Sequence, residues 1–275
     1  MIQKVYAIQS STPAGMRVIA YAASLAKTLK AQFILLYAWN EYQSLRFAGS
    51  EGLSRDETER TIEKNVRFAW QNSPQCGGPS GRAQINEVQG YQHLNEVAFE
   101  NDSIVVSPST DFTRVNANVL YPFNPSYGLN PTKSIPSGNE SILIPFGDRE
   151  SGTHTVKSGV RFAKASGFKA IFYHTTWRNP EVASNRPTHH MNPQAKLVWE
   201  MGKRLCDDLE VEFENIIEQA EHVTDGISRT ALIHNVSMIA ATRDENILRG
   251  DYTLELLERR LTPVIIFGEG GLSGN

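Results

Sequence analysis

Several residue types and patterns are scarce or missing in this sequence of 275 residues. Cysteine occurs only at Cys76 and Cys206, which have neither metal-ligand spacing nor the numbers of a disulfide framework. No apolar run approaches the roughly 18 residues that a membrane-spanning helix requires. The first residues lead directly into a strand-like segment rather than into a signal peptide. These absences predict a protein of the reducing cytoplasm with no membrane segment.

An excess of charge is missing as well. The formal net charge is −3 at pH 7, which gives no electrostatic reason to expect DNA, RNA or an anionic membrane as a partner. The motifs of a nucleophile elbow, a P-loop and a zinc-binding helix are absent, and we find no convincing pair of nucleophile and base. The sequence does contain 40% apolar residues, enough for a globular protein, and its length suggests two domains.

Short apolar runs alternate with amphipathic segments in the second half. The runs predict strands over 141–146, 170–175, 211–217, 236–241 and 263–267. Helical periodicity predicts helices around 156–165, 195–209, 226–234 and 252–261, with Leu197 and Val198 facing inward. A stretch with Pro180, Pro187 and Pro193 predicts a loop, and residues 268–275 predict a loose tail. Alternating strands and helices predict a parallel sheet with right-handed crossovers.

The first half repeats the opening of this plan. Strands are predicted over 5–8, 32–38, 83–89 and 103–106, and helices over 14–30, 55–72 and 93–100. The pattern then stops in 107–139, where only 117–121 is a candidate for a final edge strand. Segment 31–38 corresponds to 168–175, and 5–8 corresponds to 142–145, at the same offset. This repeat predicts a duplication with domains at 1–138 and 139–275.

The run Ile142-Leu-Ile-Pro-Phe-Gly-Asp148, the strand Ala170–Thr175 and the closing Pro263–Phe267 resemble a universal stress protein domain. Residues 22–38 resemble the first helix and second strand of the same domain. The resemblance implies an α/β fold with two tandem flavodoxin-like, or adenine nucleotide α-hydrolase-like, domains. Each would be an open parallel sheet of about five strands with helices on both faces, and ligands would bind at the carboxyl ends of the strands.

Many members of this family bind ATP, with an acidic residue after strand one and a glycine-rich loop after strand four. Here Asp148 lies one position later than the acidic residue of those ATP-binding members. The loop over 242–251 contains one of their three glycines and is about four residues shorter than theirs. Since a carboxylate follows that glycine, it would repel phosphate, and the site is interpreted as eroded. The resemblance implies ATP or AMP as the candidate ligand of the second domain, with these candidate binding residues: Gly147, Asp148, Thr175, Thr242, Arg243, Gly250 and Asp251.

Three hypotheses remain open on the sequence alone. The leading one is a non-enzymatic stress-response module for binding or sensing, and the second is an ATP-binding or AMP-binding member with slow ATP hydrolysis. The third is a scaffold in which Pro263–Phe267 is a pairing edge, either inside the tandem as an intramolecular pseudo-dimer or between chains as a homodimer. His174 is interpreted as structural, and the tract His189-His190-Met191 has no partner at ligand spacing, so no metal site is predicted.

Overall fold

A computed structural model of the chain describes residues 2–9, 13–39, 60, 84–89, 101–107, 117–122, 140–148, 150–177, 191–242, 252–259, 262–268 and 271–272. Within these residues the strands are β1 (Lys4–Gln9), β2 (Gln32–Trp39), β3 (Gln84–Gln89), β4 (Ser103–Val106), β5 (Asn118–Tyr121), β6 (Ser141–Pro145), β7 (Lys169–Trp177), β8 (Phe213–Ala220), β9 (Met238–Thr242) and β10 (Val264–Phe267). The helices are α1 (Pro13–Leu29), α2 (Glu150–Ser166), α3 (Pro193–Leu209), α4 (Val223–Ile233) and α5 (Tyr252–Arg259).

All ten strands form one sheet, in the order β3-β2-β1-β4-β5-β10-β9-β6-β7-β8. Every neighbouring pair is parallel except β5 and β10, which run antiparallel. The predicted α/β class with a parallel sheet is confirmed. We call the β5–β10 pair the seam, because it joins a first half-sheet made of β1 to β5 to a second made of β6 to β10.

The seam bears on two predictions, the edge strand at 117–121 and the pairing edge at 263–267. Residues 117–121 were expected to form an edge strand, but β5 lies in the interior of the sheet, with Leu120 opposite Ile265 in the antiparallel register. The reason is that β10 occupies the free edge of β5. The pairing edge predicted at Pro263–Phe267 therefore joins the halves of one chain, as the intramolecular pseudo-dimer required.

Helices cover both faces of the second half-sheet, as the continuous apolar runs of β6, β9 and β10 require, because successive side chains point to opposite faces. Ile142 and Ile144 of β6 pack in the core formed with α1, α2 and α3, whereas Leu143 packs in the core formed with α4 and α5. The first of these cores contains apolar side chains from both halves, and α1 contacts α2 across the seam. The two halves thus share a core as well as a sheet.

Three further predictions need correction. Leu197 was expected inside, but its side chain is 58% exposed, since the inner face of α3 is set by Ala195, Val198 and Cys206. Pro193 was placed in a loop, but it is the first residue of α3, where proline is favoured because that N–H needs no helical partner. The tail was expected to be loose, yet Gly271 and Leu272 are buried. The predicted helix over 93–100 lies outside the described residues, as does nearly all of the one over 55–72.

Candidate functional site

The strand order reverses direction in the second half-sheet between β6 and β9. The chain proceeds from β6 to β7 and β8 on one side, and then returns to β9 and β10 on the other. Helices that follow β6 and β9 pack on opposite faces of the sheet, an arrangement that in open α/β sheets predicts a crevice at the carboxyl ends of these strands. This carboxyl edge is where the sequence-predicted residues of the second domain were expected to meet.

The turn after β6 is tightly built. The Phe146 N–H donates a hydrogen bond to the Tyr173 carbonyl (2.9 Å), which continues the pairing of β6 with β7 by one residue. A Cβ atom at Gly152 would lie 2.9 Å from the backbone nitrogen and oxygen of Gly147, so only glycine lets the first turn of α2 approach the turn this closely. A Cβ atom at Gly147, in contrast, would have no atom within 4 Å. Gly147 therefore borders open space at the carboxyl edge.

Asp148 lies on the rim of this edge with an exposed side chain. Its Oδ2 atom accepts a hydrogen bond of 2.8 Å from the Nδ2 amide of Asn192. Asn192 is the N-cap of α3, and its Oδ1 atom accepts from the Ala195 N–H at 2.7 Å. The candidate acid is thus connected directly to the start of a second helix.

His174 lies beneath the turn and is 8% exposed. Its Nδ1 atom is 3.0 Å from the Phe146 carbonyl, which can only accept, so Nδ1 carries the hydrogen in this contact. The ring stacks on Phe146 with centroids 5.1 Å apart and planes at 25°. The imidazole supports the turn after β6, which agrees with its interpretation as a structural residue.

The N–H and C=O groups of Thr175 face the β6 side of β7, at the carboxyl edge. The backbone of Tyr173 faces β6, since its carbonyl accepts from Phe146. Peptide groups alternate sides along a strand, so those of Thr175 face the same way, beyond Pro145, where β6 has ended. Main-chain donor and acceptor groups therefore stand at the end of β7 next to the turn that carries Asp148.

Thr242, another predicted site residue, is bound by its own protein. Its hydroxyl lies 2.7 Å from the Thr155 hydroxyl, and both lie within hydrogen-bond distance of the Ser151 carbonyl, at 3.1 and 2.8 Å. Thr242 is 2% exposed. Its side chain holds the end of β9 against α2. Arg243, Gly250 and Asp251 lie outside the described residues.

Sequence reasoning missed Asn192 and Thr155. Asn192 carried a usable signal, because asparagine followed by proline ahead of a periodic apolar segment is typical of an N-cap and the first helical residue. Thr155 carried none, since its partner lies on a strand far along the chain. The register of β6 and β7 puts Gly147, Asp148 and Thr175 at one edge of the sheet, and the side chain of Thr242 is buried against α2.

The described part of the chain shows no group of three or more histidine, cysteine, aspartate or glutamate side chains that could hold a metal ion. Burial raises the pKa of the Cys206 thiol to about 12, with a smaller contribution from Asp207, so this thiol stays protonated and is a poor nucleophile. No helix within the described ranges is long and apolar enough to cross a membrane.

Comparison with known proteins places the fold. No family model and no curated protein matches the sequence. Solved structures do match: a universal stress protein from Archaeoglobus fulgidus has a TM-score of 0.63 at 10% identity, covering 98% of this chain and 99% of that chain. A functionally unknown protein from Pseudomonas aeruginosa has a TM-score of 0.54 at 10% identity, covering 97% of this chain and 92% of that chain.

Because the sequence identities to these structures are only 10%, the matches establish the fold alone. The chain has the fold of a universal stress protein, and the match to the archaeal protein extends over essentially the whole of both chains. The resemblance predicted from short strand segments is therefore confirmed at the level of architecture.

Proposed function

We propose that this chain is a non-enzymatic binding or sensing module of the universal stress type, with one ligand site at the carboxyl edge of its second domain, residues 139–275. The ligand class is an adenine nucleoside or nucleotide, recognised through its base and sugar. The observation that supports the proposal is the register of β6 and β7, which puts Asp148 and the peptide groups of Thr175 at one carboxyl edge, where the strand order reverses.

The chemistry of this edge suits a nucleoside better than a free phosphate. The main chain of Thr175 offers a donor and an acceptor, which match the edge of a heterocyclic base. The Asp148 carboxylate accepts hydrogen bonds and therefore favours sugar hydroxyls, whereas it repels phosphate oxygens. The sequence of the 242–251 loop adds a second carboxylate at Asp251, after the one glycine that the loop retains.

An enzymatic role has little support among the described residues. His174 donates to a main-chain carbonyl, and the hydroxyl of Tyr173 donates to the Glu218 carboxylate at 2.5 Å. Burial raises the pKa of Tyr173, and this hydrogen bond raises it further, so the phenol is held as a neutral donor. Slow ATP hydrolysis is the alternative, and its phosphate contacts would have to come from the 242–251 loop.

Titration calorimetry with adenosine, AMP and ATP tests the proposal. We expect the three to bind with affinities within about threefold of one another, because the phosphates add little at an eroded loop. The alternative of slow ATP hydrolysis instead predicts that ATP binds at least tenfold more tightly than adenosine and is converted to ADP. No detectable binding of any of the three would refute the nucleoside site.

Gly147 gives the site a matched pair of variants. Because a side chain there would enter open space, Gly147→Ala and Gly147→Val should both fold with nearly unchanged melting temperature. The larger side chain should block the crevice, so Gly147→Val should abolish binding while Gly147→Ala weakens it by only a few-fold. Equal affinities of the two variants would move the ligand away from this turn.

A further inference from the structure

Asn192 makes two hydrogen bonds with opposite ends of one amide. Its oxygen accepts from the Ala195 N–H at 2.7 Å, which caps α3. Its nitrogen donates to the Asp148 carboxylate at 2.8 Å. Among the common N-cap residues, asparagine caps through an oxygen and donates through a separate nitrogen, whereas serine and threonine must do both through one hydroxyl and ionised aspartate has no donor.

The amide is held on a rigid element. A Cβ atom at Gly202 of α3 would lie 2.7 Å from Val156 of α2 and 3.1 Å from Phe172 of β7. The two helices therefore pack as closely as glycine allows, and both begin at the carboxyl edge. This packing fixes the start of α3 beside the turn that carries Asp148. The hydrogen bond between Asn192 and Asp148 is therefore supported by buried helix packing as well as by surface contacts.

The start of α3 is also electrostatically suited to a carboxylate. The first turn of α3 contains no acidic residue of its own. The unpaired N–H groups at the start of a helix favour a nearby anion, and the Asn192 amide lies between them and the Asp148 carboxylate. The helix therefore lacks an acid in its first turn and receives one from the turn after β6.

We propose that Asn192 is a positioning residue for the ligand site, which fixes the orientation of the Asp148 carboxylate by joining it to the N-terminus of α3. This inference rests on the proposed function, since it assigns how the recognising carboxylate is held. One oxygen of Asp148 is bound to Asn192, which leaves the other to accept hydrogen bonds from the hydroxyls of a ligand. Ligand affinity should then depend on a residue whose own oxygen and nitrogen are both used inside the protein.

Exchange of the two residues tests the proposal. Asn192→Asp keeps the helix cap but replaces the donor with a second carboxylate, so we expect adenosine to bind about five- to tenfold more weakly at pH 8. The double variant Asp148→Asn with Asn192→Asp restores a donor and an acceptor in the reverse order. It should bind adenosine more tightly than Asn192→Asp alone. Wild-type affinity in Asn192→Asp, or no recovery in the exchange, would overturn the assignment.

The pH profile of Asn192→Asp separates positioning from a structural role. Two adjacent carboxylates share a proton more readily than one carboxylate binds it alone, and the shared proton re-creates a hydrogen bond between positions 148 and 192. The affinity of the variant should therefore be nearest to wild type at about pH 5 and fall as the pH rises to 8. Glu150, the other carboxylate of this turn, is present in both proteins, so it cancels in the comparison. A profile parallel to that of wild type would contradict the proposal.

A ligand-free measurement distinguishes failure of this inference from failure of the proposed function. In NMR spectra recorded without ligand, the side-chain amide signals of Asn192 should differ between wild type and Asp148→Ala. The backbone amide signal of Ala195 should be the same in both proteins. Unchanged Asn192 signals would overturn the contact whether or not any ligand binds. If those signals shift but neither adenosine, AMP nor ATP binds, the contact stands and the positioning role falls together with the nucleoside site.

Discussion

Polar side chains bridge separate parts of the sheet at both the seam and the carboxyl edge, but the two places differ in their access to water. At the seam Asn118 is 2% exposed, and its amide donates to the carbonyls of Asn101 and Ser103 while its oxygen accepts from the Gly268 N–H. At the rim, Asp148 and Asn192 bind each other while exposed. Contacts buried like those of Asn118 support permanent assembly, whereas exposed polar groups remain accessible to a ligand.

The difference predicts unequal costs for the same substitution. Asn118→Ala removes a buried side chain that makes three hydrogen bonds to the main chain, so the free energy of unfolding should fall by about 3 kcal/mol. Asn192→Ala removes an exposed helix cap and should cost about 1 kcal/mol. Urea titration of both variants measures the two costs. If they came out equal, the seam would be no more dependent on its polar bridge than the rim.

The buried tail provides the next largest expected effect. Leu272 is 4% exposed within the core that both halves share, and its carbonyl accepts from Arg161 at 2.6 Å. Leu272→Ala should lower the free energy of unfolding by about 2.5 kcal/mol, the usual cost of a buried leucine. Leu197→Ala is the matched control, because that leucine is 58% exposed and should cost about 0.5 kcal/mol or less. Similar losses in thermal or urea unfolding would show that the tail does not contribute to the core.

Much of the fold could be predicted from the sequence, because apolar runs report which faces of a strand are buried. The order of strands and helices in the second half, and the inward position of Val198 in α3, followed from that pattern. The seam did not, because the run 117–121 indicates buried faces and says nothing about which partner pairs with its edge. The position of Leu197 was misjudged because Val198, Gly202 and Cys206, four residues apart, set the inner face of α3.

The candidate site was less predictable than the fold. The resemblance placed Asp148 and Thr175 at a common edge, and the register of β6 and β7 explains why they meet there. The binding of Thr242 to Thr155, and of Asp148 to Asn192, depends on how α2 and α3 pack on the sheet. Side-chain contacts between distant elements leave no local pattern in a sequence, so these partners emerged only from the structure.

The contact between β9 and α2 is as buried as Asn118 at the seam, but it should be intermediate in cost, because the Ser151 carbonyl keeps one hydroxyl partner when the other is removed. Thr155→Val removes one of two hydroxyls that share the Ser151 carbonyl, so the free energy of unfolding should fall by about 1 kcal/mol. Thr155→Val combined with Thr242→Val should cost less than the sum of the single changes, because no unpaired hydroxyl remains. Additive losses in urea unfolding would mean that the hydroxyls act independently.

The smallest expected effect on stability belongs to Asp148, and it sharpens the comparison most. Asp148→Ala removes an exposed side chain with one surface hydrogen bond, so the free energy of unfolding should change by less than about 0.5 kcal/mol. Adenosine affinity, measured by calorimetry, should nevertheless fall by about tenfold or more, because a carboxylate that accepts from the sugar is lost. Glu150→Ala is the control: it removes another exposed carboxylate, in the first turn of α2, and should leave the affinity unchanged. A ligand site differs from a seam because changes there alter binding strongly and stability little. A stability loss in Asp148→Ala as large as that in Asn118→Ala would contradict this distinction.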